Sequence, residues 1–198
     1  MRSLSPVLFA LILAGCSSAT ETTKAEPKKA PEPLTGRQAI QATFPTARGW
    51  SPDATLFRAR NLNLAGYPSK EGKAIAWEVT YISPSKAAMR SYNWSAVELG
   101  SVHEGVFGGP QQSWQQGREA PVEMSLLGKD TPDLFHTAME AAEDFLKTKG
   151  EKPAMTFQLE SNPRFPGATW QVMWGNSAGV AQYSVFLDAG SGKLLAKN

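Results

Sequence analysis

The sequence has little of what most often announces chemistry. Its 198 residues include one cysteine and two histidines, and neither sign of charge prevails, with 20 Lys and Arg against 18 Asp and Glu. A single cysteine excludes an intrachain disulfide, a cysteine-built zinc site and an iron–sulfur cluster. Near-neutral charge argues against a nucleic-acid binder, which carries a clustered basic face. Long hydrophobic runs are also missing. The most apolar stretch, Leu4–Leu13, is half the roughly 20 residues that a membrane-spanning helix needs. What is present is an ordinary globular share of apolar residues, 41% before 17 Gly are added, so a wholly disordered chain is excluded. The length suits one ordinary domain or two small ones.

The cysteine stands at an informative place. Arg2 and the amino terminus form a short positive region ahead of Leu4–Leu13, and Leu13-Ala14-Gly15-Cys16 follows. This resembles a bacterial lipobox. The resemblance implies cleavage after residue 15, a diacylglycerol on the Cys16 thiol and acylation of the new amine. Two or three acyl chains hold a protein stably, where one alone is marginal. Ser17 resembles the sorting signal that, in a Gram-negative cell, selects the outer membrane, facing the periplasm. Removing residues 1–15 takes Arg2 away and lowers the net charge from +2 to +1. Residues 16–35 read as a flexible Pro/Lys/Glu linker, with Pro27, Pro31 and Pro33 stiffening its second half. At about 3 Å per residue it holds the folded part several nanometres from the lipid.

The rest divides into two segments of similar layout, 36–117 and 118–198. In the first, Ala39, Ile40, Thr43 and Phe44 mark one face of a short helix over 36–48 that Pro45 limits or bends. Trp50-Ser51-Pro52-Asp53-Ala54 reads as a turn, and strands are expected at Thr55–Leu64, Ala74–Ser83 and Ala87–Val97. Trp77, Val79 and Tyr81 alternate with Glu78 and Thr80, the period of a sheet with one buried face. Leu99–Gly117, rich in Gly and Gln, reads as an exposed loop around Trp114. Pro121–Leu127 is a candidate further strand.

In the second segment Asp130 or Thr131 is placed to cap a helix, with Pro132 in its first turn. Leu134, Phe135, Ala138, Ala142, Phe145 and Leu146 carry helical spacing to Lys147. Strands are expected at Ala154–Glu160, Ala168–Trp174 and Ala181–Asp188, with a return at Lys193–Ala196. A helix followed by an antiparallel meander, twice over, is an α+β architecture.

Trp170-Gln171-Val172 and Val185-Phe186-Leu187-Asp188-Ala189-Gly190-Ser191-Gly192-Lys193-Leu194 resemble the PepSY family and its PepSY-like relatives. Trp77-Glu78-Val79 and Ile82-Ser83-Pro84-Ser85-Lys86 are the weaker first-segment equivalent, without the Asp and Gly. The resemblance implies two tandem helix-on-sheet units of a kind associated with binding and restraining peptidases at the cell envelope. The family has no shared catalytic residues to carry over.

No catalytic or cofactor motif is complete. Ala189-Gly190-Ser191-Gly192-Lys193 has half of a phosphate-binding loop, but Leu187 and Leu194 stand where Gly and Ser or Thr are needed, and no helix follows. His136 and Glu140 lie four apart on the second helix, and His103 adjoins Glu104. Catalytic zinc needs three protein ligands, so these read as solvated surface. Asn93-Trp94-Ser95 matches a glycosylation sequon by chance. Trp77, Trp170 and Trp174 are expected in the core. Trp50, Trp94 and Trp114 are candidate partner contacts, Trp114 foremost. The expectation is therefore a lipid-anchored, non-catalytic binding module without cofactor, metal or nucleic acid, whose partner is an envelope protein or peptide. Two alternatives stand beside it: a small-ligand or lipid carrier with a pocket between helix and sheet, and an envelope hydrolase using an acidic site such as Glu140 with His136.

Overall fold

A computed structural model of the chain describes residues 30–117, 120–150 and 153–198. The expected signal peptide, Cys16 and the expected linker up to residue 29 lie outside the described residues. From Pro31 to Asn198 the chain forms one compact unit.

Folding order begins earlier than composition suggested. Leu34, placed above in the linker, pairs with Ala74 through two backbone hydrogen bonds of 2.9 Å, and its carbonyl accepts the indole N–H of Trp77. Thr35 is the N-cap of α1 (Gly36–Trp50). Its hydroxyl accepts the Gln38 amide while the Gln38 side chain accepts the Thr35 amide. This reciprocal box satisfies two of the donors that a helix start leaves orphaned. The helix runs through Pro45, beyond the expected end at Arg48, and buries Ala39, Ile40, Thr43 and Ala47.

Seven-residue β1 (Thr55–Asn61) starts the sheet, followed by β2 (Ala76–Ser83), β3 (Ala88–Ser95) and β4 (Gly105–Ser113). The last of these corrects the expected loop at 99–117. Phe107 stands opposite Asn93 and Val106 opposite Trp94. Its Gly content and Pro110 hid a strand that sits at the sheet edge, where a missing backbone donor is tolerated. Gly108 packs closely, because a Cβ there would lie 3.0 Å from both the Tyr92 ring and the Arg90 guanidinium. Pro121–Leu127 forms no strand. It makes a 3-10 turn at Met124–Leu126, and buried Val122 donates its amide to the Leu56 carbonyl at 2.8 Å.

The second helix starts as its sequence indicated. Asp130 caps α2 (Thr131–Ala141), accepting from the Thr131 amide at 2.8 Å, and also accepts the Arg37 amide of α1 at 3.0 Å. One carboxylate thus serves the N-termini of both helices, and the Gly36 amide completes the junction on the Thr131 hydroxyl. The expected single helix to Lys147 is instead interrupted at Ala142, and α3 (Glu143–Lys147) follows. The break lets the Phe145 ring stack on Tyr183 at 4.8 Å. Then come β5 (Met155–Ser161), β6 (Ala168–Trp174), β7 (Tyr183–Asp188) and β8 (Leu194–Lys197).

All eight strands belong to one sheet, in the order β4-β3-β2-β1-β5-β6-β7-β8, with every pairing antiparallel. The segments expected as two units are joined where β1 meets β5, with Ala59 opposite Leu159. Trp77, Val79, Tyr81, Phe157, Leu159, Trp170, Val172, Val185 and Leu187 share one core with Ala39 and Ile40 of α1 and Leu134 and Ala138 of α2. Both helices therefore cover the same face. The Asp188 motif joins β7 to β8, so its positional counterpart is the β3–β4 connection and not Ile82–Lys86, which joins β2 to β3. Asp188 accepts the Ser191 amide and hydroxyl at 2.7 and 2.6 Å, and Gly192 has φ +76°, so this segment is a hairpin turn and not a phosphate loop.

A second carboxylate locks the α1–β1 corner. Asp53 accepts the Ser51 and Ser83 hydroxyls at 2.7 Å each and the Ser85 amide at 2.8 Å, tying the corner to the β2–β3 hairpin. The Ser51 hydroxyl, the Ser85 amide and the Ser83 hydroxyl hold its carboxyl well below the usual carboxylate range. A carboxylate depressed in the folded state stabilises above its unfolded value of about 3.9 and loses that contribution as pH falls through the folded value. Asp53→Asn is therefore expected to lower the melting temperature at pH 7, with the gap to the wild type closing between about pH 5 and pH 2. A gap constant across that range contradicts the role.

Candidate functional site

The face of the sheet turned away from the helices mixes polar and apolar side chains, and several of the polar ones pair with one another. Arg58 on β1 pairs with Glu160 on β5, and Arg60 with Glu78 on β2, both at 2.9 Å. The Thr80 and Ser91 hydroxyls bond at 2.8 Å, and Gln171 donates to Ser184 at 3.2 Å. The ion pairs are partly exposed, so each adds about 1 kcal/mol or less to stability. Their larger effect is to hold long side chains in place on either side of β1, toward β5 and toward β2. Expected solvation of this face holds only in part: Ile82 and Met173 are fully buried and Thr80 and Gln171 nearly so. Thr80 lies between Arg58 and Ser91, and Gln171 between Gln158 and Phe186.

Toward the β4 edge this face opens into a groove of about 680 Å³. Glu78, Thr80, Met89 and Ser91 line it from β2 and β3. Phe57 and Arg58 bound it from β1, and Gln112, Ser113, Trp114 and Gln115 from the end of β4 and beyond. Two local features make it. A β-bulge between Leu56 and Arg58 breaks the pairing with β2 and brings Phe57 and Arg58 to the same concavity. On the other side the Trp114 amide bonds to the Ala87 carbonyl at 3.0 Å, and Trp114 lines both the groove and the adjoining depression at Ile82 and Pro84. The result sets the Trp114 and Phe57 rings among hydrogen-bonding side chains, a composition typical of contact sites.

The three tryptophans proposed as contacts are not brought together. Trp114 alone lines the groove. Trp50, at the end of α1, donates its indole N–H to Gln111 at 3.0 Å, with the Lys86 ammonium 5.2 Å from its ring centre. Trp94, opposite Trp77 and Val106, packs against the core. Trp77, Trp170 and Trp174 are buried, as expected. His103 bonds to Glu98 at 2.6 Å, and exposed His136 meets the edge of Phe135. Among the described residues no three His, Cys, Asp or Glu side chains form a metal-binding group. Arg58, Phe57 and Glu78 were missed as site residues. The bulge that gathers them shows only in the structure, where Leu56 and Ala59 both point into the core although three positions apart, which an uninterrupted strand forbids.

No protein-family model and no curated protein matches the chain. Among solved structures, it is similar to the crystal structure of a candidate lipoprotein from Clostridium difficile 630, with a TM-score of 0.53 over 81% of this chain and 91% of that one. The two are 6% identical, so the likeness is one of fold. That fold is α+β, with a single eight-stranded antiparallel sheet and few helices.

Proposed function

We propose that this is a lipid-anchored envelope protein that binds an extended segment of another envelope protein on the helix-free face, without catalysing a reaction on it. The observation that carries the reading is the groove beside Trp114, which opens toward an edge strand. Residues 105–117 contain no charged side chain, so β4 lacks the edge charges that discourage pairing with another chain. An extended peptide laid along β4 gains backbone hydrogen bonds, and its alternate side chains reach the groove. Gln112 and Gln115 supply amide donors and acceptors, and Trp114 supplies the aromatic anchor. The resemblance to PepSY units makes an envelope peptidase one fitting partner.

Two tandem PepSY-like units fit the strand order. Each segment supplies a capped helix and a four-stranded meander, and the first strand of each pairs with the other. The lipid anchor rests on Leu13-Ala14-Gly15-Cys16, and the similarity in fold to a candidate lipoprotein agrees with it. Placement on the outer membrane, facing the periplasm, follows from Ser17 for a Gram-negative source. Cys16→Ser is expected to abolish incorporation of labelled acyl chains and to remove the protein from the outer-membrane fraction. Labelling that survives the substitution contradicts the anchor. The binding reading is tested by photo-crosslinking from Gln112, which is expected to capture one defined polypeptide, weakened when Trp114 is replaced by Ala.

A further inference from the structure

A second concavity lies between α2, the β1–β2 connection and the adjoining ends of β5 and β6. Its volume is about 690 Å³, within the range of small-molecule sites. Its walls are apolar: Leu64 and Pro68 from the connection, Phe135 and Met139 from α2, and Met155 and Trp174 from the sheet. The neutral polar groups around it are engaged with the protein itself. Asn63 donates to Thr156 at 2.9 Å and to Asn176 at 3.3 Å, and Ser69 donates to the Met155 carbonyl at 2.9 Å. Charge enters through Lys70 and Glu71, both exposed. Lys70 also borders the neighbouring depression that Lys73 and Tyr67 line, so two ammonium groups stand at this rim beside the Glu71 carboxylate.

We propose that this groove holds the alkyl chain of a single-chain anionic amphiphile, with its headgroup at Lys70 and Lys73. A hydrocarbon chain laid against Phe135, Met139 and Leu64 removes apolar surface from water on both partners. A polypeptide in the same place leaves backbone N–H and C=O groups facing apolar walls that offer them no partner. The anionic head stays at the wet rim, where the two lysines meet it. A fatty acid and a lysophospholipid share this chemistry. The site is independent of the Trp114 groove, with which it shares no lining residue.

The test is calorimetric titration of residues 17–198, which contain the whole described fold, with octanoate, decanoate and dodecanoate. Lauroyl lysophosphatidylglycerol and dodecyl maltoside form two further arms, all below micelle-forming concentrations. Each methylene buried at about 0.8 kcal/mol tightens binding about fourfold, so two added methylenes give roughly 15-fold. Lys70→Glu is expected to weaken both anionic arms about tenfold and to leave the maltoside unchanged. Met139→Glu is expected to abolish binding at an unchanged melting temperature. Should that variant unfold, Met139→Ala is expected to weaken dodecanoate about tenfold. Binding of either anionic arm with these responses supports the proposal, and the tighter of the two identifies the headgroup. No binding, affinity independent of chain length, a maltoside that binds as tightly as dodecanoate, or indifference to both Met139 variants overturns it.

Discussion

Gly72→Ala is expected to destabilise the protein by about 3 kcal/mol, lowering its melting temperature by roughly 6–12 °C. Gly72 is buried in the β1–β2 connection with φ +77°, a conformation that costs an L-residue about 1–2 kcal/mol. Sterics add to this. A Cβ at Gly72 would lie 2.3 Å from the Thr131 carbonyl oxygen and 2.6 Å from the Pro132 nitrogen, both backbone atoms. Those atoms form the first turn of α2, which is pinned from the other side by Asp130 and by the Gly36 amide. The turn cannot yield without loosening the start of both helices. Gly66 provides the control, because it has φ +79° and nothing within 4 Å of its Cβ position. Gly66→Ala is expected to cost only the conformational part, about 1 kcal/mol. Thermal or urea denaturation of the two variants separates the contributions. Equal losses in both would show that the Gly72–Thr131 contact does not form.

The second large effect concerns binding. Trp114→Ala removes the only large aromatic side chain on the β4 side of the groove while leaving the helix-covered core untouched. Central aromatic anchors contribute about 2 kcal/mol or more to an interface, which is roughly a 30-fold loss of affinity. The variant is expected to keep its melting temperature within a few degrees, since Trp114 is only partly buried. Loss of affinity at retained stability separates a contact residue from a structural one. Lost stability with unchanged affinity would make Trp114 a lid over Ile82 and nothing more.

How much of this was legible in the sequence depended on whether the signal was local. Capping is local, so Asp130 announced α2 correctly, and the alternation of Trp77, Val79 and Tyr81 announced a buried strand face. The Asp188–Lys193 turn was legible for the same reason. What the sequence hid was decided by neighbours. β4 forms because β3 offers it an edge, and its glycines and Pro110 carry no strand signal of their own. The end of α2 at Ala142 answers to packing of Phe145 on Tyr183, residues far apart in sequence. The joining of both segments into one sheet rests on pairings such as Ala59 with Leu159, which no periodicity reveals. For the site, Trp114 stood out by its type among glutamines, but its neighbours Phe57 and Arg58 depended on a bulge. Trp50 and Trp94 looked alike in sequence, yet the C-terminal end of α1 and strand β3 turned both toward the helix side.

The central claim is that the helix-free face is the binding face. It is tested most directly by photo-crosslinking in intact cells from two positions, Gln112 in the groove and Glu140 on exposed α2. The account predicts one discrete adduct from Gln112, lost or strongly reduced in Trp114→Ala, and no discrete adduct from Glu140. A discrete adduct from Glu140 with none from Gln112 would contradict it.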